Sequence, residues 1–131
     1  MNESPVLRRI ERTAALAAPR FRYAPAVQVG HDVYVSGLVG LDPLTGRLAG
    51  EAADQTRQIL RNLQALCAEQ GWSMDRLVLA RVFCAGDDAA DGMNAVWSDF
   101  FSERAPPART FAIVKSLPLQ AAVEIEFQLS T

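Results

Sequence analysis

The clearest pattern in the chain is a strict alternation of apolar and polar residues close to the C-terminal end. Its apolar members are Val123, Ile125, Phe127 and Leu129, and the polar residues between them are Glu124, Glu126 and Gln128. Side chains of a strand point to alternate faces of a sheet, so this segment predicts a strand with one buried face and one acidic face.

Shorter β-like runs lie in the first third of the chain. Residues 6–10 form a charged, exposed strand in this interpretation, and residues 26–29 and 33–37 flank a turn at Gly30. Proline and glycine in residues 42–46 supply the fixed and positive φ angles of a second turn. We therefore expect a hairpin, followed by a chain reversal.

Two segments have the three- and four-residue spacing of amphipathic helices. The first covers residues 51–70 and stops at Gly71, and the second ends before Pro106. The apolar stripe of the first helix is Ile59, Leu60, Leu63, Leu66 and Cys67, and that of the second is Met93, Val96, Trp97, Phe100 and Phe101. Between them, residues 77–84 are apolar on both faces apart from Arg81, which predicts a central strand whose arginine needs a partner.

This order of elements predicts one α+β domain over residues 1–131, with both helices on one side of a mixed sheet. Residues 1–22 are an N-terminal strand or extension to which the pattern assigns no role. The bare face of the sheet would expose Leu77, Leu79 and Phe83, because no third helix is available to cover them. We therefore expect self-association.

Composition narrows the function classes. The net charge of −2 argues against nucleic acid as a partner, and no apolar run approaches the ~20 residues that cross a bilayer, so we expect a cytoplasmic protein without a membrane partner. The arginines before Tyr23 admit a transit segment, but the acids among them favour a strand. Cys67 and Cys84 are expected to be reduced core residues. The single histidine, His31, offers neither a metal site nor a Ser-His pair.

Arg109 is the most conspicuous candidate for binding. Pro106 and Pro107 stiffen its approach, so little freedom is lost when the guanidinium grips a carboxylate with two hydrogen bonds. The alternative is an ion pair with an acid of the final strand.

Four further candidates each carry a structural alternative. Glu124 is a catalytic acid or base, or part of a solvated face. Ser36 binds a ligand or closes a strand, Asn94 binds a ligand or caps a helix, and Tyr23 is a ligand contact or a packed aromatic residue.

Taken in order, several segments resemble the Rid family, also described as YjgF-like or endoribonuclease L-PSP-like. The segments are residues 23–30, 33–37, 42–46 and 55–63, Asn94 followed by Phe100-Phe101, residues 107–109, and Leu117-Pro118 leading to residues 123–126. The resemblance runs from about Tyr23 to the C-terminus.

The resemblance implies a chorismate-mutase-like fold with a six-stranded sheet, assembled as a homotrimer with ligand clefts between subunits. It implies that Arg109 holds a substrate carboxylate and that Glu124 positions the attacking water, with Tyr23, Ser36 and Asn94 lining the cleft. A carboxylate beside Arg109 would have a lowered pKa. Phe111 stands where the active branch has a small residue or cysteine, so we expect it to shape substrate binding.

The implied reaction is the cofactor-free hydrolysis of 2-aminoacrylate and related imines (2-iminobutanoate and 2-iminopropanoate) to 2-keto acids and ammonium. Two alternatives remain open: a deaminase of a larger amino-substituted unsaturated acid, favoured by the apolar Phe111 and Leu38, and a non-catalytic regulator that binds a 2-keto acid. Ribonuclease activity is the weakest hypothesis, because the chain has a net negative charge and no histidine pair.

Overall fold

The computed structural model describes residues 3–131 as a mixed sheet with two helices on one face. The strands are β1 (Leu7–Ile10), β2 (Ala26–Val29), β3 (Asp32–Val39), β4 (Leu77–Cys84), β5 (Ala108–Ile113) and β6 (Val123–Ser130). The helices are α1 (Ala52–Gln70) and α2 (Asp87–Phe100). The predicted order of strands and helices is confirmed.

The six strands lie in the order β1-β2-β3-β6-β4-β5. Only the β4–β5 pair is parallel, and the other neighbours are antiparallel. The alternating strand β6 therefore lies inside the sheet, where its apolar residues are at most 3% exposed. The predicted central position of β4 is also confirmed, because it lies between β6 and β5.

Local sequence signals account for the ends of the elements. Gly30 turns β2 into β3 with φ 57°, and Gly71 ends α1 with φ 76°, both in the left-handed region that favours glycine. In the turn at residues 42–46, the Asp42 carboxylate accepts hydrogen bonds from the amides of Leu44 and Thr45.

The two cysteines are buried and free, and burial raises the pKa of Cys67 to about 11.

Two register shifts decide which side chains face the helices. In β3 the shift lies between Val35 and Leu38, so both of these side chains are in the core, although residues three positions apart face opposite sides of a regular strand. In β4 the shift lies between Leu77 and Leu79, and Leu77 is only 8% exposed. The prediction that Leu77 lies on the bare face is therefore wrong, because the extra residue Val78 reverses the alternation.

The face of the sheet opposite the helices carries both charged and apolar side chains. Arg81 finds its predicted partner there, since its guanidinium lies 2.7 Å from the Glu126 carboxylate. Leu79 and Phe83 are partly exposed on this face, and Val78 is 43% exposed. No helix among residues 3–131 has the length and apolar character to cross a membrane.

Gly40 allows α1 to approach the end of β3. A Cβ at this position would lie 2.7 Å from the Cα and carbonyl oxygen of Gln55, which are backbone atoms that cannot rotate away. We predict that Gly40→Ala lowers the free energy of unfolding by about 1–3 kcal/mol through overpacking. Urea unfolding measures this loss.

Gly50→Ala is the control for Gly40→Ala, because the nearest atoms to its Cβ would all belong to the side chain of Asp54, whose Oδ2 lies at 2.9 Å. We expect a loss of at most about 1 kcal/mol, since Oδ2 accepts a single capping hydrogen bond from the Glu51 amide. Equal losses for the two variants would contradict the proposed backbone clash.

Candidate active site

Arg109 lies on edge strand β5 and points to the helix side of the sheet. Its register partner is Ala80 of β4, which is fully buried beneath the helices. From this position its Nη1 atom donates a 2.8 Å hydrogen bond to Oδ1 of Asn94 on α2. Within the single chain, the sequence alternative of an ion pair with an acid of β6 is wrong, because Glu124 and Glu126 lie on the opposite face.

Aromatic rings complete the surroundings of the Arg109 guanidinium. Its central carbon lies 5.4 Å from the ring centre of Trp97 and 5.7 Å from that of Phe111, and Nη1 lies 3.7 Å from the Met93 sulfur. These partners are all uncharged. They orient the guanidinium by cation–π contact and hydrogen bonding without neutralising it, so its charge remains available to an anion.

Asn94 lies well inside α2, seven residues after Asp87 begins the helix. The alternative role of Asn94 as a helix cap is therefore wrong. Asn94, Arg109 and Phe111 are site residues predicted from the sequence, and they lie together in the structure. Trp97 and Met93, which also contact Arg109, are predicted only as core residues. The signal for Trp97 is its position three residues after Asn94, which puts both on one face of the helix.

Glu124, the second residue of β6, lies on the open face of the sheet. Its side chain packs against Gly37, where an added Cβ would be 3.0 Å from both the carboxyl carbon and Oε1. Burial raises the pKa of Glu124, and the nearby negative charge of Glu126 raises it further. The expected lowering of this pKa is wrong for the single chain, because Arg109 is not beside Glu124.

Tyr23 and Ser36 line one small hollow together with Gly37, Leu41 and Asn62. The Ser36 hydroxyl donates a 2.7 Å hydrogen bond to the carbonyl of Ala24, and the Ser36 amide donates to that of Pro25. Ser36 therefore holds the loop that carries Tyr23. Tyr23 is 52% exposed, so its interpretation as a packed aromatic residue is wrong.

The turn before Glu124 is strained and anchored to α1. Leu119 and Gln120 have φ of 60° and 59°, in the left-handed region that costs a non-glycine residue about 1–2 kcal/mol. Buried Gln55 fastens the turn, because its Oε1 accepts from the Ala122 amide while its Nε2 donates to Gly50. Gln55 belongs to the family motif at residues 55–63, which predicts no role for it.

The candidate residues thus form two separate groups, which we call the arginine cluster (Met93, Asn94, Trp97, Arg109, Phe111) and the glutamate cluster (Glu124 and Gly37, with Tyr23 and Ser36 of the hollow that Gly37 also lines). Glu124 pairs with Phe83, and Phe83 pairs with Ala112 of β5. Two strand spacings, roughly 10 Å, therefore separate Glu124 from β5, and Glu124 and Arg109 lie on opposite faces of the sheet. No group of three potential metal ligands occurs in the described part of the chain.

Known proteins resemble this chain in sequence and in fold. The family model Endoribonuclease L-PSP matches residues 13–129. A RutC family protein of Sulfurisphaera tokodaii is 35% identical over 104 residues, which are 79% of this chain and 82% of that protein. The crystal structure of YyfA from Yersinia pestis, described as a Rid family protein of unknown function, matches with a TM-score of 0.88 at 28% identity, covering 96% of this chain and 100% of that one.

The chain belongs to the Rid family. The predicted fold, two helices on a six-stranded mixed sheet, is that of the Rid structures. Another relative, from mouse, is named 2-iminobutanoate/2-iminopropanoate deaminase and is 32% identical over 124 residues, covering 94% of this chain and 91% of the mouse protein. Within this Rid chain, the site residues predicted from the sequence lie in the arginine cluster and the glutamate cluster. One small substrate cannot contact both Arg109 and Glu124 of the same chain.

We predict that Gly37→Ala in this Rid chain moves the Glu124 carboxylate at little cost in stability. The new methyl group meets only the end of a flexible side chain, at 3.0 Å. A crystal structure of the variant should show Glu124 in another rotamer. Unfolding should show a loss below about 1 kcal/mol.

A double-mutant cycle provides the control for Gly37→Ala. In a Glu124→Ala background the new methyl group meets no carboxylate, so we expect the two substitutions to couple by about 0.5 kcal/mol or more. Strict additivity would show that Gly37 does not confine Glu124.

Proposed function

We propose that this Rid protein hydrolyses 2-imino acids, and enamines such as 2-aminoacrylate, to 2-keto acids and ammonium. The observation that carries the proposal is a free cationic clamp, Arg109, in the same chain as a half-buried carboxylate of raised pKa, Glu124. The name of the mouse relative, an imine deaminase, supports the same reaction.

The reaction needs a group that binds the substrate carboxylate, a base that takes a proton from water and an acid that delivers a proton to nitrogen. Arg109 and Glu124 supply all three without a cofactor. Arg109 binds the substrate carboxylate with two hydrogen bonds and withdraws charge from the adjacent imine carbon. Glu124 accepts a proton from water as the water oxygen bonds to that carbon. That proton goes to nitrogen, which gives a tetrahedral amino alcohol. The hydroxyl proton of this intermediate then passes to nitrogen, again through Glu124, as the carbon–nitrogen bond breaks, ammonia leaves and the carbonyl forms.

The raised pKa of Glu124 suits this role. A glutamate of ordinary pKa is a weak base, and burial makes the Glu124 carboxylate a stronger one. The same burial removes bulk water from one side of the carboxylate, so a single bound water can be oriented.

The active site is shared between subunits in this proposal. Arg109 and Glu124 lie on opposite faces of one sheet, so one chain alone cannot place both around a substrate of a few atoms. A homotrimer with clefts between neighbours solves this, because a heterologous contact repeated around a threefold axis brings the arginine cluster of one subunit to the glutamate cluster of the next. The partly exposed Leu79 and Phe83 on the open face support such an assembly.

Arg109→Ala tests the clamp. A dehydratase supplies 2-aminoacrylate, and keto-acid release is followed with and without the protein. We expect kcat/KM to fall by about 100-fold, because the lost hydrogen bonds are charge-assisted. Acceleration that survives the substitution would exclude the proposed clamp, and no acceleration by the unmodified protein would exclude the reaction.

Mixing two inactive variants tests the shared site. Arg109→Ala and Glu124→Gln chains, unfolded and reassembled together in equal amounts, should recover about a quarter of the original activity, because random trimers form intact sites where an Arg109 faces a Glu124. The control mixes Arg109→Ala with the Arg109→Ala/Glu124→Gln double variant, in which no site has the arginine. Failure to recover activity in assembled trimers would mean that both residues act within one chain.

The pH dependence of kcat/KM tests Glu124. Only the ionised carboxylate is a base, so activity should fall as pH falls through the pKa of Glu124, which burial and Glu126 raise from its ordinary value of 4.5 in the single chain. Glu126→Gln removes one of the two causes of the shift and should move the limb to lower pH. Asp75→Asn, at the opposite end of β4, should leave the limb in place.

A further inference from the structure

Strand β5 presents a row of three side chains on one face. Arg109, Phe111 and Ile113 pair in register with Ala80, Val82 and Cys84, all of which are fully buried, so the three share the helix side of the sheet. Alternate residues of a strand lie roughly 7 Å apart, which sets a guanidinium, an aromatic ring and a branched aliphatic side chain in line over roughly 13 Å.

The two apolar members of this row are exposed where their neighbours are not. Phe111 is 38% exposed and Ile113 is 46% exposed, whereas the β4 residues beside them are fully buried. An apolar row on an edge strand is a hazard for aggregation unless something covers it. Phe111 already packs one side against the Arg109 guanidinium, at 5.7 Å, so the aromatic surface is continuous with the carboxylate clamp.

We propose that this row, the β5 ledge (Arg109, Phe111, Ile113), is a side-chain subsite and that the preferred substrates are 2-imino acids with large apolar side chains. The inference rests on the proposed function and adds the substrate class. A carboxylate held by Arg109 fixes one end of the molecule, and a branched aliphatic or aromatic side chain then lies over Phe111 and reaches toward Ile113.

The β5 ledge favours apolar substrate side chains and also disfavours polar ones. Neither Phe111 nor Ile113 can hydrogen-bond a polar substituent, so a hydroxyl or carboxylate on the substrate side chain would lose water without compensation. A methyl group, as in 2-iminopropanoate, is too short to cover the row. The matching substrates are the imines that oxidation of leucine-like or phenylalanine-like amino acids releases.

Competition between substrates measures this preference. An L-amino-acid oxidase with catalase generates imines from alanine, leucine or phenylalanine, and semicarbazide captures whatever the protein has not hydrolysed. We expect kcat/KM for the leucine- and phenylalanine-derived imines to exceed that for the alanine-derived imine by about tenfold or more. Equal values would overturn the proposal.

Substitutions in the ledge assign the preference to these residues. Phe111→Ser and Ile113→Ser should each lower the ratio of large-substrate to small-substrate kcat/KM, by about tenfold for Phe111. Leu44→Ser is the matched control, because it removes a 94% exposed leucine from the turn at residues 42–46 and should leave the ratio unchanged. A ratio unchanged by Phe111→Ser would overturn the proposal, as would loss of the assembly in light scattering, since the ledge would then be a subunit contact.

Binding of stable products separates this inference from the reaction. Calorimetry compares 4-methyl-2-oxopentanoate with pyruvate, and the ledge predicts tighter binding of the larger keto acid and loss of that difference in Phe111→Ser. If no imine is hydrolysed but this preference is seen, the proposed reaction fails while the subsite stands. If imines are hydrolysed without any size preference, the reaction stands and the subsite fails.

Discussion

The two-residue period of strand β6 is the constraint on which the rest of the structure depends. This strand lies between β3 and β4, so its apolar residues complete the core beneath both helices and its acids must face the other way. A shift of one residue would bury three polar side chains and expose the centre of the core. Glu124 is therefore held on the open face by the same alternation that stabilises the fold.

The same geometry separates the two candidate catalytic groups. Arg109 follows the register of β4 to the helix side, whereas Glu124 follows that of β6 to the open side. Within one chain this prevents an ion pair that would neutralise both groups and lower the pKa of the carboxylate. Each group instead keeps a distinct electrostatic state: the arginine is oriented by uncharged partners, and the glutamate has its pKa raised by burial and by Glu126. Assembly then becomes part of the proposed chemistry, since only a neighbouring subunit can bring the two together.

Two irregular segments of backbone, the register shift in β3 and the turn before β6, lie close to Glu124. The register shift in β3 falls at Ser36 and Gly37, where the strand holds the Tyr23 loop and leaves room for the Glu124 carboxylate. The left-handed Leu119 and Gln120 lie in the turn that leads into β6, which Gln55 fastens to α1. Strain and bulges are commonly concentrated around functional sites, and here both lie next to the glutamate cluster.

The sequence by itself determined the element order, the position of the helices on one side and the two faces of β6, because these follow from local periodicity and from glycine and proline at the turns. It also pointed to Tyr23, Ser36, Asn94, Arg109, Phe111 and Glu124, through the spacing of family motifs. Only the tertiary structure decided that Leu77 belongs to the core, that Asn94 and Trp97 hold Arg109, and that the pKa of Glu124 is raised. Bulges, contacts across strands and burial depend on residues far apart in the chain. Local sequence patterns therefore cannot predict them.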